Sequence, residues 1–155
     1  MGLKKGPFVV ADTVSVDGDP YSSTTKGVIE LGPSPEIVAT VDVCVTEPQK
    51  TQVSLDSMAQ IAVIDRNTVG NPITFEVKYE ILRNDTVIAT INDKMDYETI
   101  GDPSRHTNFP SFPVLDNHPG VGMNRYELRV ARIETPEVGS IFVASRSLKA
   151  TVFTV

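Results

Sequence analysis

Residues 36–47 read Glu36-Ile37-Val38-Ala39-Thr40-Val41-Asp42-Val43-Cys44-Val45-Thr46-Glu47. The odd positions Ile37, Ala39, Val41, Val43 and Val45 are apolar, while the even ones include Thr40, Asp42 and Thr46. An extended chain sends alternate side chains to opposite faces, so this stretch makes one apolar face and one mixed face. A helix would scatter the same residues around its circumference. The period is that of a strand.

The same two-residue period extends in both directions. Toward the C-terminus it marks Thr51 to Asp65 through Val53, Leu55, Ala59, Ile61 and Val63, and then Phe75, Val77, Tyr79 and Ile81. Arg83-Asn84-Asp85-Thr86 interrupts it, and alternation resumes at Val87 to Ile91. Asn and Asp bond their own backbone and tolerate left-handed dihedrals, so this tetrapeptide is predicted to be a hairpin turn. Tyr126, Leu128 and Val130 mark another strand, and Ser147 to Val155, with Leu148, Ala150 and Val152 on one face, the last. Glu137-Val138-Gly139-Ser140 is predicted as the turn leading into Ile141-Phe142-Val143. Toward the N-terminus, Phe8 to Val16 and Gly27 to Leu31 form weaker strands around the turn signal Asp17-Gly18-Asp19-Pro20. Seven to nine short strands bounded by turn chemistry imply an all-β chain: an antiparallel β-sandwich of jelly-roll type, one domain over residues 1–155.

One segment breaks the rhythm. Residues 92–124 carry Pro103, Pro110, Pro113 and Pro119 with little alternation, and are read as a long proline-containing loop. Loops of that length are usually functional or disordered, and Phe109, Phe112, Val114 and Leu115 point to packing against something rather than full disorder. Its Phe109, Phe112, His106 and His118, together with Phe153 near the C-terminus, are the candidate interaction residues.

Reactive chemistry is thin. His106 and His118 are the two histidines, no Gly-x-Ser-x-Gly occurs, and no third group marks either histidine as an oriented base. A zinc or manganese site would have to be built from Asp102, His106, Asp116 and His118, whose spacing follows no rigid element. Asp17-Gly18-Asp19 lacks the further acidic ligands of a calcium loop. The expectation is a non-catalytic protein with no metal and no cofactor. Nucleic acid is not expected as a partner, because 14 Lys and Arg against 20 Asp and Glu leave a net charge of -6, and phosphate binding needs a basic face. Membrane insertion is not expected either, since no apolar run approaches about 18 residues. Phe8-Val9-Val10-Ala11 is too short for a signal h-region, so export through a signal peptide is not expected. The single Cys44 excludes an internal disulfide and reads as a quiet strand residue.

Lys50 to Ile61, then Phe75 to Arg83 with its hairpin, and Tyr126 to Val130 followed by Arg146 to Val152, resemble small β-sandwich proteins of spore-forming Firmicutes. Those are similar in strand pattern to C1q and tumour-necrosis-factor-like jelly rolls, and some belong to the exosporium or coat. The resemblance implies a structural module that packs as homo-oligomers, commonly trimers. It further implies synthesis in the mother-cell cytoplasm and deposition on the spore surface beside other surface-layer proteins. Two other readings remain open: a phage virion component of tail, fibre or capsid decoration, and a carbohydrate- or ligand-binding module.

Overall fold

A computed structural model describes residues 7–65, 72–98, 105–133 and 138–154. Asp102, Pro103, Glu137 and Val155, used above, lie outside the described residues.

Among the described residues ten strands follow in order: β1 Phe8–Val14, β2 Ile29–Glu30, β3 Glu36–Val45, β4 Thr51–Asp65, β5 Pro72–Arg83, β6 Thr86–Glu98, β7 Arg105–Asn108, β8 Val114–Asp116, β9 Gly122–Arg132 and β10 Val138–Thr154. A 3-10 turn, Pro48–Lys50, joins β3 to β4. The abundance of Val, Ile and Thr accounts for this, since branched side chains are stiff at χ1 and suit a pleated surface. The first sheet has the order β1-β10-β4-β7, with β2 on β10 and β8 on β4, and the second has β3-β9-β5-β6. Every pairing is antiparallel.

β7 and β8 both pair with β4, at Ile61–Ile64 and Val53–Leu55, with a bridge from Ser111 to Met58 between them. They are two halves of one broken strand. Counting them so, and β2 as an accessory, leaves eight strands in sheets ordered 1-8-3-6 and 2-7-4-5. That is the double Greek key of a jelly roll. The core between the sheets takes Val41, Val43 and Val45, Val53 and Leu55, Ile61 and Val63, Phe75, Val77, Tyr79 and Ile81, Tyr126, Leu128 and Val130, and Leu148 and Ala150. These are the inward positions that the alternation marks.

Three expectations are corrected. The segment 92–124 is not one long loop: most of its described residues lie in β6, β7, β8 and β9, and Pro110 and Pro113 sit at the breaks between β7 and β8. Proline cannot donate to a ladder and is tolerated where a strand is at the edge and interrupted. Val138 to Ser140 is not a turn but the start of the 17-residue β10, which absorbs two predicted strands. Ile37 does not join the core, because a register shift between Ile37 and Ala39 turns Val38 inward and leaves Ile37 exposed.

Arg146 joins that irregularity to a second one. β10 shifts register between Val143 and Arg146. The buried guanidinium donates to the carbonyls of Val38 at 3.1 Å and Ala144 at 3.0 Å, and to that of Gly27. Backbone oxygens freed by the bulges thus find a charged donor, as buried carbonyls must.

Candidate interaction surface

The five candidate residues fall in two regions. His106, Phe109 and Phe112 line the side of the sandwich where β6, the edge of one sheet, faces β7 and β8, the edge of the other. His106 points inward beside Phe75 and Tyr97, with ring centroids 5.7 and 4.7 Å away in edge-on geometry. Tyr97 donates its hydroxyl to Asp65 on β4. Burial pushes the His106 imidazole below its ordinary value, and the charges of Asp65 and Asp93 oppose that shift only in part. Asp65 Oδ2 and His106 Nε2 are buried with no hydrogen-bond partner among the described residues. Asn108 on β7 donates to both oxygens of Asp93 on β6, at 3.2 and 3.1 Å, and staples the two edges.

Beyond that staple a groove opens, lined by Lys94, Met95, Thr107, Phe109 and Pro110. Phe109 is 59% exposed at its mouth, whereas Phe112 and Val114 lean onto the core. The apolar side chains here are therefore divided between the chain's own core and the surface.

His118 and Phe153 lie at the other end. The His118 backbone N–H donates to Asp116 Oδ1 at 3.1 Å while its ring stays exposed. The same buried carboxylate takes Arg83 at 2.6 Å and the Tyr126 hydroxyl at 2.7 Å. Burial alone would raise the Asp116 carboxyl, but these bonds and the Arg83 charge outweigh it and hold the group below its ordinary value. Nearby, Asn124 closes the turn before β9 by bonds to Gly120, and Asn84 bonds both Asn124 and Arg125. Asn84 and Asp85 carry φ of 47° and 69°, the left-handed pair of a two-residue hairpin. Phe153 stands on the outer face of the first sheet, 41% exposed, close to the row Val9, Thr151, Ser54 and Leu115.

Of the four residues from which a metal site would be built, Asp102 lies outside the described residues, and His106 does not come together with Asp116 and His118. His106 pairs with Val63 and Asp116 with Val53, ten residues apart on β4 and so about 33 Å. Among the described residues no group of three His, Cys, Asp or Glu is placed to hold a metal ion. The outer face of the second sheet is laced with polar pairs: Asp42–Arg125 at 3.0 Å, Glu80–Arg129 at 3.0 Å and Thr74–Asp96 at 2.7 Å. Cys44 is exposed on that face opposite Met123. Sequence reasoning missed Asp65, Asp93, Asn108 and Asn124, polar groups at inward strand positions. The signal was their parity with apolar neighbours.

No family model and no curated protein matches the chain, so the resemblance to spore proteins gains no support from them. Among solved structures it is similar to the infectious bursal disease virus Gx strain, at 13% identity over 95% of this chain and 33% of that one, with a TM-score of 0.45. It is also similar to the VP2 subviral particle of that virus (14% identity, 94% and 32% covered, TM-score 0.43). A third is dimeric latent PorU from Porphyromonas gingivalis (11% identity, 96% and 13% covered, TM-score 0.40). The chain spans a third or less of the length of these structures. The jelly-roll assignment rests on this chain's own strand order.

Proposed function

We propose that this chain is a non-catalytic structural module that assembles with copies of itself in the outer layer of a particle. One observation carries the reading. The buried Asp116, Asn124 and Arg146 are each satisfied by several bonds within the fold, whereas Phe8, Val9, Phe109, Leu115 and Phe153 are exposed. Those three polar side chains are committed to bonding strands and turns and so are not free to act on a substrate. Exposed apolar side chains on a rigid sandwich are suited to contact between proteins.

As the setting we take a virion component, whether shell, tail or decoration, ahead of a spore coat. The ordering is by fold analogy, since double-sheet jelly rolls of this strand order recur in viral capsids as well as in lectins. Neighbouring genes distinguish the two: head and tail genes for the first, sporulation genes for the second.

Sedimentation velocity on the purified chain from micromolar to submillimolar concentration tests the assembly, with electron microscopy to image its form. Closed oligomers or extended arrays are expected. A strict monomer that binds a glycan, or turns one over, would overturn the reading.

A further inference from the structure

Within the assembly reading, on which this inference rests, one surface is specific enough to name the contact. The sandwich has four strand edges, and two of them, β3 and β7–β8, are blunted. On the side of β1 and β3, the Asp12 carboxylate accepts from the backbone N–H of Thr40 at 2.9 Å, and Arg146 takes the carbonyl of Val38. On the opposite side, the β7–β8 edge is broken at Pro110 and Pro113. Of the other two, β1 is seven residues long, and β6 is the longer at thirteen, free of proline and, among the described residues, paired only with β5. Among the described residues no hydrogen bond reaches its backbone from the other side. A long free edge of this kind is a template for another strand.

The side chains of β6 favour its own copy as that strand. Its outer face carries Thr90, Asn92, Lys94 and Asp96, with Lys94 across from Glu76 on β5. Lys94 makes no ion pair among the described residues. We infer that β6 pairs antiparallel with β6 of a second copy, about a two-fold axis through Met95. In that register Lys94 of each copy faces Asp96 of the other, so each lysine lies between Glu76 of its own chain and a carboxylate of its neighbour. Asn92 takes the register position opposite Glu98, so no like charges are paired. A shift of the axis by one or two residues loses this: through Lys94 it sets lysine against lysine, and through Asp93 aspartate against aspartate. An axis through Asp96 does the same with that residue. Opposite charges directly across a pair of strands stabilise it and like charges oppose it. A two-fold contact is self-complementary by construction. It stands in place of the trimer that the resemblance implied.

Charge reversal of the full chain tests the contact. Lys94→Asp and Asp96→Lys should each weaken self-association in sedimentation equilibrium by about tenfold or more, as two facing pairs turn repulsive. The double variant should recover most of the lost association, short of the wild-type value because position 94 then carries a like charge across from Glu76. Circular dichroism and melting of each variant establish that the monomer still folds, both side chains being on the outer face. An oligomer that neither single variant weakens places the contact elsewhere and overturns the β6 register, while the assembly reading stands. Dissociation by both single variants without recovery in the double overturns the register as well. A wild-type chain that is monomeric throughout overturns both.

Discussion

Asp116 shows how a residue with the chemistry of a ligand is consumed by the fold. Its two oxygens take Arg83, the Tyr126 hydroxyl and the His118 backbone, and so join β5, β8 and β9. Asp116→Ala leaves Arg83 without its carboxylate and Tyr126 without its acceptor. The expected loss is about 3 kcal/mol of unfolding free energy, read from urea titration. Because its carboxyl is held below the ordinary value, Asp116 stabilises the fold above pH of about 4 and ceases to as pH falls through its depressed value. His106 differs in kind, as a base lowered chiefly by burial. Above the ordinary histidine value, about 6.5, it is neutral in both states and its contribution is complete. As pH falls below that value the unfolded chain takes up a proton that the folded chain resists, and stability declines. Melting temperature should therefore fall between pH 7 and 5, and His106→Gln should flatten that slope. An unchanged slope in the variant would assign the titration to another group. Neither role was legible in the sequence. Both residues were visible as candidates, but the sequence does not place the partners of Asp116 within reach of it or show that His106 points inward.

At the scale of elements, legibility followed hydrophobic contrast. β4, β5, β9 and the C-terminal half of β10 alternate apolar with polar side chains, and that contrast alone marks their inward residues. The turn at Asn84-Asp85 is marked too, because few residues other than glycine tolerate its dihedrals. Residues 105–116 alternate as regularly, with Arg105, Phe109, Ser111, Pro113 and Leu115 exposed and the even positions more buried. Their inward residues, however, are His106, Asn108, Pro110, Phe112, Val114 and Asp116, half of them polar, so the period carries no hydrophobic signal. β3 fails in the opposite way. Its pattern is strongly apolar, and nothing in Ile37-Val38-Ala39 tells which residue the bulge turns outward. Truncation distinguishes the two. Val38→Ala, at 5% exposure, should cost roughly 2 kcal/mol. Ile37→Ala, at 42%, should stay within about 0.5 kcal/mol. Equal costs would mean that the uninterrupted parity holds in solution.

The whole molecule is two sheets sharing one layer of side chains, and charge placed in that layer opposes their contact. Tyr79 is the probe. It stands on β5, an inner strand of its sheet, with no exposed surface. Its hydroxyl is buried without a hydrogen-bond partner, Ser57 lying near it but outside bonding geometry. Burial pushes this phenol up to about 12, and Ser57 offsets that only slightly. Tyr97 and Tyr126 move the same way, first through burial and then through the carboxylates Asp65 and Asp116 that accept from them. A raised value means that the contribution is intact below the unfolded phenol's value of about 10 and is lost as pH rises toward the folded one. For Tyr79 alone the loss between those limits is on the order of 2 kcal/mol. Urea midpoints taken at pH 8, 10 and 11.5 should therefore fall steeply over the last interval. Tyr79→Phe keeps the ring and removes the ionisation, so it should recover part of that fall while changing little at pH 8. The rest should follow Tyr97 and Tyr126, because phenols facing one layer destabilise the same cooperative unit. Two separate transitions at high pH would instead mean that the sheets part independently, which a double Greek key does not readily permit, since its chain crosses between the sheets at β2 to β3, β3 to β4, β4 to β5, β6 to β7, β8 to β9 and β9 to β10.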